Sequence, residues 1–463
     1  MCGIIGIYSP GSRDIARSVY FGLHSLQHRG QESAGIAVSK NGEIKYHKEM
    51  GLVQEVFNDE IIDSLKGDIS IGHVRYSTTG ESYVVNAMPL VVSYKGGTLA
   101  LAHNGNLVNA KEIRSTLQEE GIIFQTSIDS EVIATLIAKF SKESKVEEAI
   151  EKSLKIVRGS YALVIMFEEK LIGIRDPLGI RPLCIGKTAD GFVLASESCV
   201  FPLIGAKLIR DVEPGEMIVI ENGELISIKM KRIDQKKASC AFEYVYLARP
   251  DSDLDNKSIY NSRRAAGKIL AYEHPVSADL VIAVPESGTV AAMGYAEASG
   301  IKFGEGLIKN RYVGRTFIQP NQELRELSVH MKLNVLKQNV EGKRIIMIDD
   351  SIVRGTTCGQ IVKMLKEAGA KEVHVRVCSP PVTDPCFFGI DTPSKKNLIA
   401  ANFSIEEIKD KIGADSLAYI SIEGLWESIG LGGENICAAC FNGAYPIELK
   451  EEPKKNIFEC IAV

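Results

Sequence analysis

The sequence has 463 residues, 45% of them apolar and 24% charged, with a formal net charge of −5. That balance fits an ordinary folded protein of roughly two to three domains and gives no broad surface for nucleic acid. No apolar run approaches the ~20 residues of a membrane span, and the start lacks the basic region of a secretory signal, so a cytoplasmic location is expected.

Removal of Met1 would leave Cys2 first, followed by the apolar run Ile4 to Ile7, which predicts a buried strand. An N-terminal cysteine carries a thiol and an α-amine of pKa near ~8, a nucleophile with its own general base. A lone cysteine at that position is equally an incidental small residue. Three polar, glycine-punctuated stretches follow, Leu26–Gly35, Gly72–Gly80 and Leu101–Asn109, each beside an apolar strand. They predict loops at strand ends, where binding residues collect. Val132 to Phe140 and Val146 to Val157 have helical periodicity, whereas Tyr161 to Phe167 and Met217 to Ile220 predict strands. Antiparallel sheets covered by helices account for this alternation.

Together with Cys2, these stretches resemble the glutamine amidotransferase domain of the N-terminal-nucleophile class, over residues 2–233. The resemblance implies an αββα sandwich. It implies that Cys2 attacks the glutamine side-chain amide, that Arg75 pairs with the substrate α-carboxylate and that Asp129 holds its ammonium. Asn104 and the Gly105 N–H would form the oxyanion hole. His28, His73 and His103 are read as structural, because the Cys2 amine already supplies a base.

Ile233 to Lys237 is polar and predicts a linker to a second domain over residues 234–463. A helix is expected from Ser258 to Tyr272. Asp279 to Val284 is an apolar strand leading into Pro285-Glu286-Ser287-Gly288, then a helix. Arg344 to Thr357 repeats this plan: the apolar Ile345 to Ile348, the carboxylates Asp349 and Asp350, then Ser351, Gly355, Thr356 and Thr357 as a small polar loop. In the helix that follows, Ile361, Val362, Leu365 and Ala368 share a face, with Gly369 placed to end it. Two strand–loop–helix units imply a parallel sheet with both loops at its C-terminal edge, where phosphates bind. The acid pair can take ribose hydroxyls or hydrated Mg²⁺. Between these units, Lys309, Arg311 and Arg315 sit in a segment without helical periodicity, either a solvated basic loop or a lid.

The second half resembles the type I phosphoribosyltransferases, and the whole chain resembles the iron–sulfur-containing branch of the amidophosphoribosyltransferase family. The resemblance implies an α/β domain with a parallel sheet that binds phosphoribosyl pyrophosphate (PRPP). Asp349 and Asp350 would hold the ribose hydroxyls, while Ser351, Arg354, Gly355, Thr356 and Thr357 hold the 5′-phosphate. Glu286, Ser287 and Gly288 would take the pyrophosphate, with Ser287, Asp349 and Asp350 near Mg²⁺ and Lys309, Arg311 and Arg315 closing over it. The implied reaction uses glutamine, PRPP and water to give 5-phosphoribosylamine, glutamate and pyrophosphate, the step that opens purine synthesis. Purine nucleotides as inhibitors and a homotetramer are further implications. Alternatives are a sugar-phosphate amidotransferase, which would lack the Asp349-Asp350 motif, and a non-catalytic PRPP-sensing regulator, which would not need Cys2.

The ten cysteines are too dispersed for a disulfide framework in a chain of this length. Cys437 and Cys440 have C-x-x-C spacing, which suits one metal or cluster. The resemblance adds Cys240 and Cys386 as ligands of a [4Fe–4S] cluster. Zn²⁺ suits four cysteines equally well, and buried structural thiols are the plainer alternative. Such a cluster is expected to tie the C-terminal segment to the start of the second domain, far from both reactions. Cys184, Cys199, Cys358, Cys378 and Cys460 match no ligand position.

Overall fold

The protein is described from a computed structural model covering residues 2–12, 14–142, 144–230, 236–310, 312, 331–449 and 458. The N-terminal half is two stacked antiparallel sheets. The first has seven strands, in spatial order Lys207–Asp211, Cys184–Lys187, Phe192–Ala195, Gly3–Tyr8, Ile69–Arg75, Ser33–Lys40 and Glu43–Met50. The second has six: Glu224–Lys229, Glu216–Glu221, Lys170–Arg175, Gly159–Phe167, Gly97–Leu107 and Leu90–Tyr94.

Gly3–Tyr8 lies in the middle of the first sheet and is buried throughout. Its side chains alternate between two cores, as the period of a strand requires. Ile4 and Tyr8 face the second sheet, with Ala102, Val164 and Leu171. Ile5 and Ile7 face Val19 and Leu23 of the helix Ile15–Ser25. The helices Ser130–Phe140 and Val146–Ile156 cover the outer face of the second sheet. Four layers result, αββα, as the sequence predicts.

The C-terminal half is built on four parallel strands in the order Leu280–Ala283, Arg344–Asp349, Glu372–Val377, Ser416–Tyr419. Apolar residues face both ways, which suits a sheet buried on both faces. Ile346 and Ile348 pack with the helices Ile259–Glu273, Thr289–Ser299 and Ile422–Ile429. Ile345 and Met347 pack with Thr356–Glu367 and Ile405–Ile412. The predicted helix 258–272 is present, with Ser258 as its N-cap, its hydroxyl accepting from the Asn261 N–H. Most of the expected linker, residues 233–235, lies outside the described residues, as do Met1, Arg311, Arg315 and Cys460. Among the described residues, no helix is long and apolar enough to cross a membrane.

Buried charges join the halves. Arg29 donates to Glu197 and, through both terminal nitrogens, to Glu243 of the C-terminal half. Arg181 also donates to Glu243, at 3.2 Å. Burial alone would raise the Glu197 pKa, but Arg29 and His28 more than offset it and hold the carboxylate well below its usual range.

Candidate active sites

Cys2 immediately precedes the central strand of the first sheet, and Asn104 lies on the facing strand Gly97–Leu107. The Cys2 N–H donates to Asn104 Oδ1 at 3.2 Å. With Oδ1 committed, Asn104 Nδ2 points elsewhere, and it is fully buried without a partner among the described residues. A buried unpaired donor is costly unless something arrives to accept from it. The geometry suits a donor aimed at developing negative charge, as an oxyanion hole requires. Gly105 follows on the same strand. A Cβ there would fall 2.1 Å from Ser160 O and 2.8 Å from His103 Nε2, so only glycine lets the chain approach so closely.

Arg75 ends the strand beside Cys2 and is almost fully buried. Burial draws its pKa down, while Cys2, Glu32 and Asp129 nearby favour its charge. Its terminal nitrogens donate to the carbonyls of Glu81, Thr79 and Gly80 at 3.0 to 3.3 Å. Asp129 immediately precedes the helix Ser130–Phe140 and accepts from the Leu107 N–H at 2.8 Å. Glu32 accepts from Ser77 and Ser82 and lies 3.8 Å from Arg75. It lies inside a stretch singled out by the sequence, but only the fold places it beside Arg75.

The three histidines are each bonded within the fold. His73 is buried, its Nε2 3.1 Å from the His103 carbonyl, and burial pulls its pKa down to about 3. His103 Nδ1 meets Ser130 Oγ at 2.8 Å, and burial likewise lowers its pKa. His28 bonds Glu197 at 2.6 Å.

The second candidate site lies at the C-terminal edge of the parallel sheet. Asp349 is the last residue of its strand and Asp350 the first beyond it. The Asp350 N–H donates to Asp349 Oδ1 at 2.9 Å, and Ser351 Oγ donates to Asp350 Oδ2 at 2.6 Å. Burial, and then the neighbouring Asp350, push Asp349 well above the usual carboxylate range. Thr356 and Thr357 already belong to the following helix, so the connecting loop is shorter than the sequence suggested, with Gly355 as its N-cap. Arg354, Thr356 and Thr357 are exposed around this helix start.

The loop Pro285–Gly288 lies alongside. Val284 N–H donates to Ile348 O at 2.9 Å, and a Cβ on Gly288 would meet that same carbonyl at 2.4 Å. Ser287 and Asp350 line one cavity with Tyr244, Ser262 and Arg263. Arg263 is an addition the sequence did not signal; it is buried and held by the carbonyls of Tyr244 and Ala248. Lys309 Nζ lies 3.6 Å from Glu286 of this loop.

The four candidate cysteine ligands converge. Ser239–Cys240 pairs in parallel with Ile436–Cys437, setting Cys240 directly against Cys437. The Cys440 carbonyl accepts from Thr383 and Asp384 N–H, which brings the Cys386 turn alongside. Burial first, then Cys386, Cys240 and Cys437, push the Cys440 thiol up. Among the described residues, no three or more His, Cys, Asp or Glu gather in a group that could hold one metal ion.

The turn that carries Cys386 packs on the strand of the first candidate site: a Cβ on Gly389 would lie 3.1 Å from Gly105 Cα. A sequence separation of 284 residues hid this contact.

Residues 73–202 match the family described as glutamine amidotransferase domain. The chain is 51% identical over 455 residues to the amidophosphoribosyltransferase of Archaeoglobus fulgidus, covering 98% of this chain and 99% of that one. This chain belongs to the amidophosphoribosyltransferase family. The Bacillus subtilis amidophosphoribosyltransferase is 49% identical over 456 residues, 97% of this chain and 95% of its own. Among solved structures, glutamine PRPP amidotransferase from B. subtilis, complexed with ADP and GMP, aligns with a TM-score of 0.92 at 48% identity. It covers 98% of this chain and 100% of that one. A structure described as the allosteric regulatory enzyme of purine biosynthesis aligns over 100% of both chains, with a TM-score of 0.93 and 47% identity.

Proposed function

We infer that this chain catalyses glutamine-dependent amination of PRPP at ribose C1, giving 5-phosphoribosylamine, glutamate and pyrophosphate. The observation that carries the reading is one chain holding both assemblies, Cys2 with Asn104, Arg75 and Asp129, and Asp349–Asp350 beside Pro285–Gly288. The sugar-phosphate alternative accounts only for the first.

The free amine of Cys2 takes the thiol proton, and the thiolate adds to the glutamine side-chain carbonyl. Asn104 Nδ2 and the Gly105 N–H receive the oxyanion, each such donor being worth about 3 kcal/mol. Collapse releases ammonia and leaves a glutamyl thioester, which water hydrolyses to glutamate. Arg75 and Asp129 orient the substrate through its α-carboxylate and α-ammonium. For Arg75 this requires exchanging carbonyls of Thr79 to Glu81 for the carboxylate.

At the second site, ammonia adds to ribose C1 as the C1–pyrophosphate bond breaks. Asp349 and Asp350 hold the ribose hydroxyls. Ser351, Arg354, Gly355, Thr356 and Thr357 hold the 5′-phosphate at the helix N-terminus. Glu286, Ser287, Gly288 and Lys309 face the pyrophosphate, and Arg311 and Arg315, outside the described residues, would add positive charge for it. Ser287, Asp349 and Asp350 would hold Mg²⁺, which would neutralise the leaving pyrophosphate; two carboxylates plus substrate phosphates are the usual donor set for this ion.

Cys240, Cys386, Cys437 and Cys440 would hold a [4Fe–4S] cluster that staples three segments of the C-terminal half. Cys240 set against Cys437, with the Cys386 turn alongside Cys440, supports one group shared by the four thiols, and the family resemblance favours a cluster over Zn²⁺. A homotetramer in the cytoplasm, inhibited by purine nucleotides, completes the proposal, the B. subtilis complex with ADP and GMP supporting the last element.

Glutaminase and synthesis assays, with and without PRPP and with glutamine or ammonia as donor, test the reading. Both donors should support synthesis, and PRPP should stimulate glutaminase. A chain that hydrolyses glutamine but never consumes PRPP contradicts it.

A further inference from the structure

We propose that the turn Cys386–Gly389, carried by the C-terminal half, positions the oxyanion-binding strand of the glutamine site. Four contacts hold the turn against the N-terminal half, two of them made by the segment Asn104–Asn106 itself. Asn106 Nδ2 donates to the Phe387 carbonyl at 3.0 Å. Ser160, paired with Asn106 across the second sheet, donates from Oγ to the Phe388 carbonyl at 2.7 Å. Arg181 Nε donates to that same carbonyl at 2.8 Å. Gly389, at φ +103, is pressed against Gly105, a Cβ there meeting Gly105 Cα and its carbonyl carbon at 3.1 Å.

All three donors are buried, so each bond lost leaves a polar group without water to replace it. The link extends to the substrate side. Asn106 Oδ1 accepts from Thr79 Oγ1 at 2.8 Å, and the Thr79 carbonyl accepts from Arg75. Asn106 therefore joins the turn of one half to the segment of the other, Thr79 to Glu81, that holds Arg75. The turn is itself held in place. Cys386 N–H donates to Thr392 Oγ1 at 2.6 Å, the Phe388 N–H points to Cys386 Sγ at 3.4 Å, and Tyr445 Oη donates to the Pro385 carbonyl at 2.6 Å. An oxyanion hole works by preorganisation, so a backing that fixes Gly105 to a few tenths of an ångström acts on the transition state more than on ground-state binding.

The proposal rests on the reading of Asn104 and Gly105 as oxyanion donors. Its test uses Gly389→Ala and Ser160→Ala in the full chain. Gly389→Ala should cut glutaminase kcat about ten-fold with an unchanged KM for glutamine. Inhibition by the γ-aldehyde of glutamate, which forms an oxyanion on adding to Cys2, should weaken in parallel, whereas inhibition by glutamate should not. Synthesis from ammonia should hold. Ser160→Ala, which removes one bond and no backbone freedom, should show the same split at about three-fold and decides the matter if the alanine at 389 prevents folding. An unchanged kcat, a rise in KM alone, or a fall shared equally with ammonia-dependent synthesis overturns the proposal. A Cys2→Ala control that still hydrolyses glutamine overturns the site reading instead, and the proposal with it.

Discussion

The two candidate sites are built in opposite ways. Around Cys2 the polar groups are buried and already bonded to the fold: Arg75 to three carbonyls, Asp129 to the Leu107 N–H, Asn104 to Cys2. At the sheet edge of the C-terminal half, Asp349 and Asp350 are buried, but two charged residues of the neighbouring segments are open. Lys309 and Glu286 side chains are 42% and 69% exposed. The difference follows from the chemistry each must perform. An acyl transfer needs a rigid oxyanion site, whereas a polyanionic ligand brings its own charges and must be let in and then enclosed.

Four substitutions can break or sharpen that contrast. The largest effect is expected at Cys2. Cys2→Ala should lower glutamine-dependent synthesis by on the order of 10⁴-fold or more, since no other group replaces the nucleophile. Synthesis from ammonium salt, assayed on the same preparation, should be nearly unaffected. Equal loss with both donors would mean that the sites are not separable.

Arg29→Ala comes next and tests the buried frame. It leaves Glu197 and Glu243 buried without their main counter-charge, a defect of ~3–5 kcal/mol. Urea denaturation should show a lower midpoint, and glutaminase should be lost at lower urea than in the parent. A midpoint within error of the parent would mean that the charges joining the halves are not holding them.

Asp350→Asn addresses the open site. Turnover should fall about 100-fold with either nitrogen donor, from loss of the charge proposed to face ribose and cation. Basal glutaminase should persist, with weaker stimulation by PRPP. Selective loss of the glutamine-dependent reaction would place this acid in the wrong site.

The smallest effect concerns Asp211. Burial chiefly, with Asp255 adding and Arg175 opposing, raises its pKa to about 6 from an ordinary 3.8. The folded state therefore holds this proton more tightly than the unfolded chain does. The associated stability is present below the ordinary value and lost as pH rises through about 6. Asp211→Asn should flatten that decline, read as Tm between about pH 4 and about pH 7. A parallel decline in both proteins would show that the carboxyl ionises in the fold at no cost.

Much of the architecture was legible because local patterns carry it. Ile345 to Ile348 is apolar on both faces and is followed by two acids and small residues, and that order alone specifies a buried strand ending in a loop. Cys2 beside an apolar strand, and the glycine-punctuated stretches holding Arg75 and Asn104, carried the resemblance to the glutamine amidotransferase domain. The helix start was misjudged by two residues, because Thr356 and Thr357 look like loop residues until a helix places them in its first turn. What the sequence could not determine is everything that depends on which distant segments meet. Glu32 beside Arg75, Arg263 in the cavity of Asp350, the Arg29–Glu243 link and the Gly389–Gly105 contact are each made by pairs with no shared periodicity or spacing. A strand or helix repeats its own pattern along the chain, so it can be read locally. A contact between loops of two halves leaves no such repeat, and only the packed tertiary structure decides it.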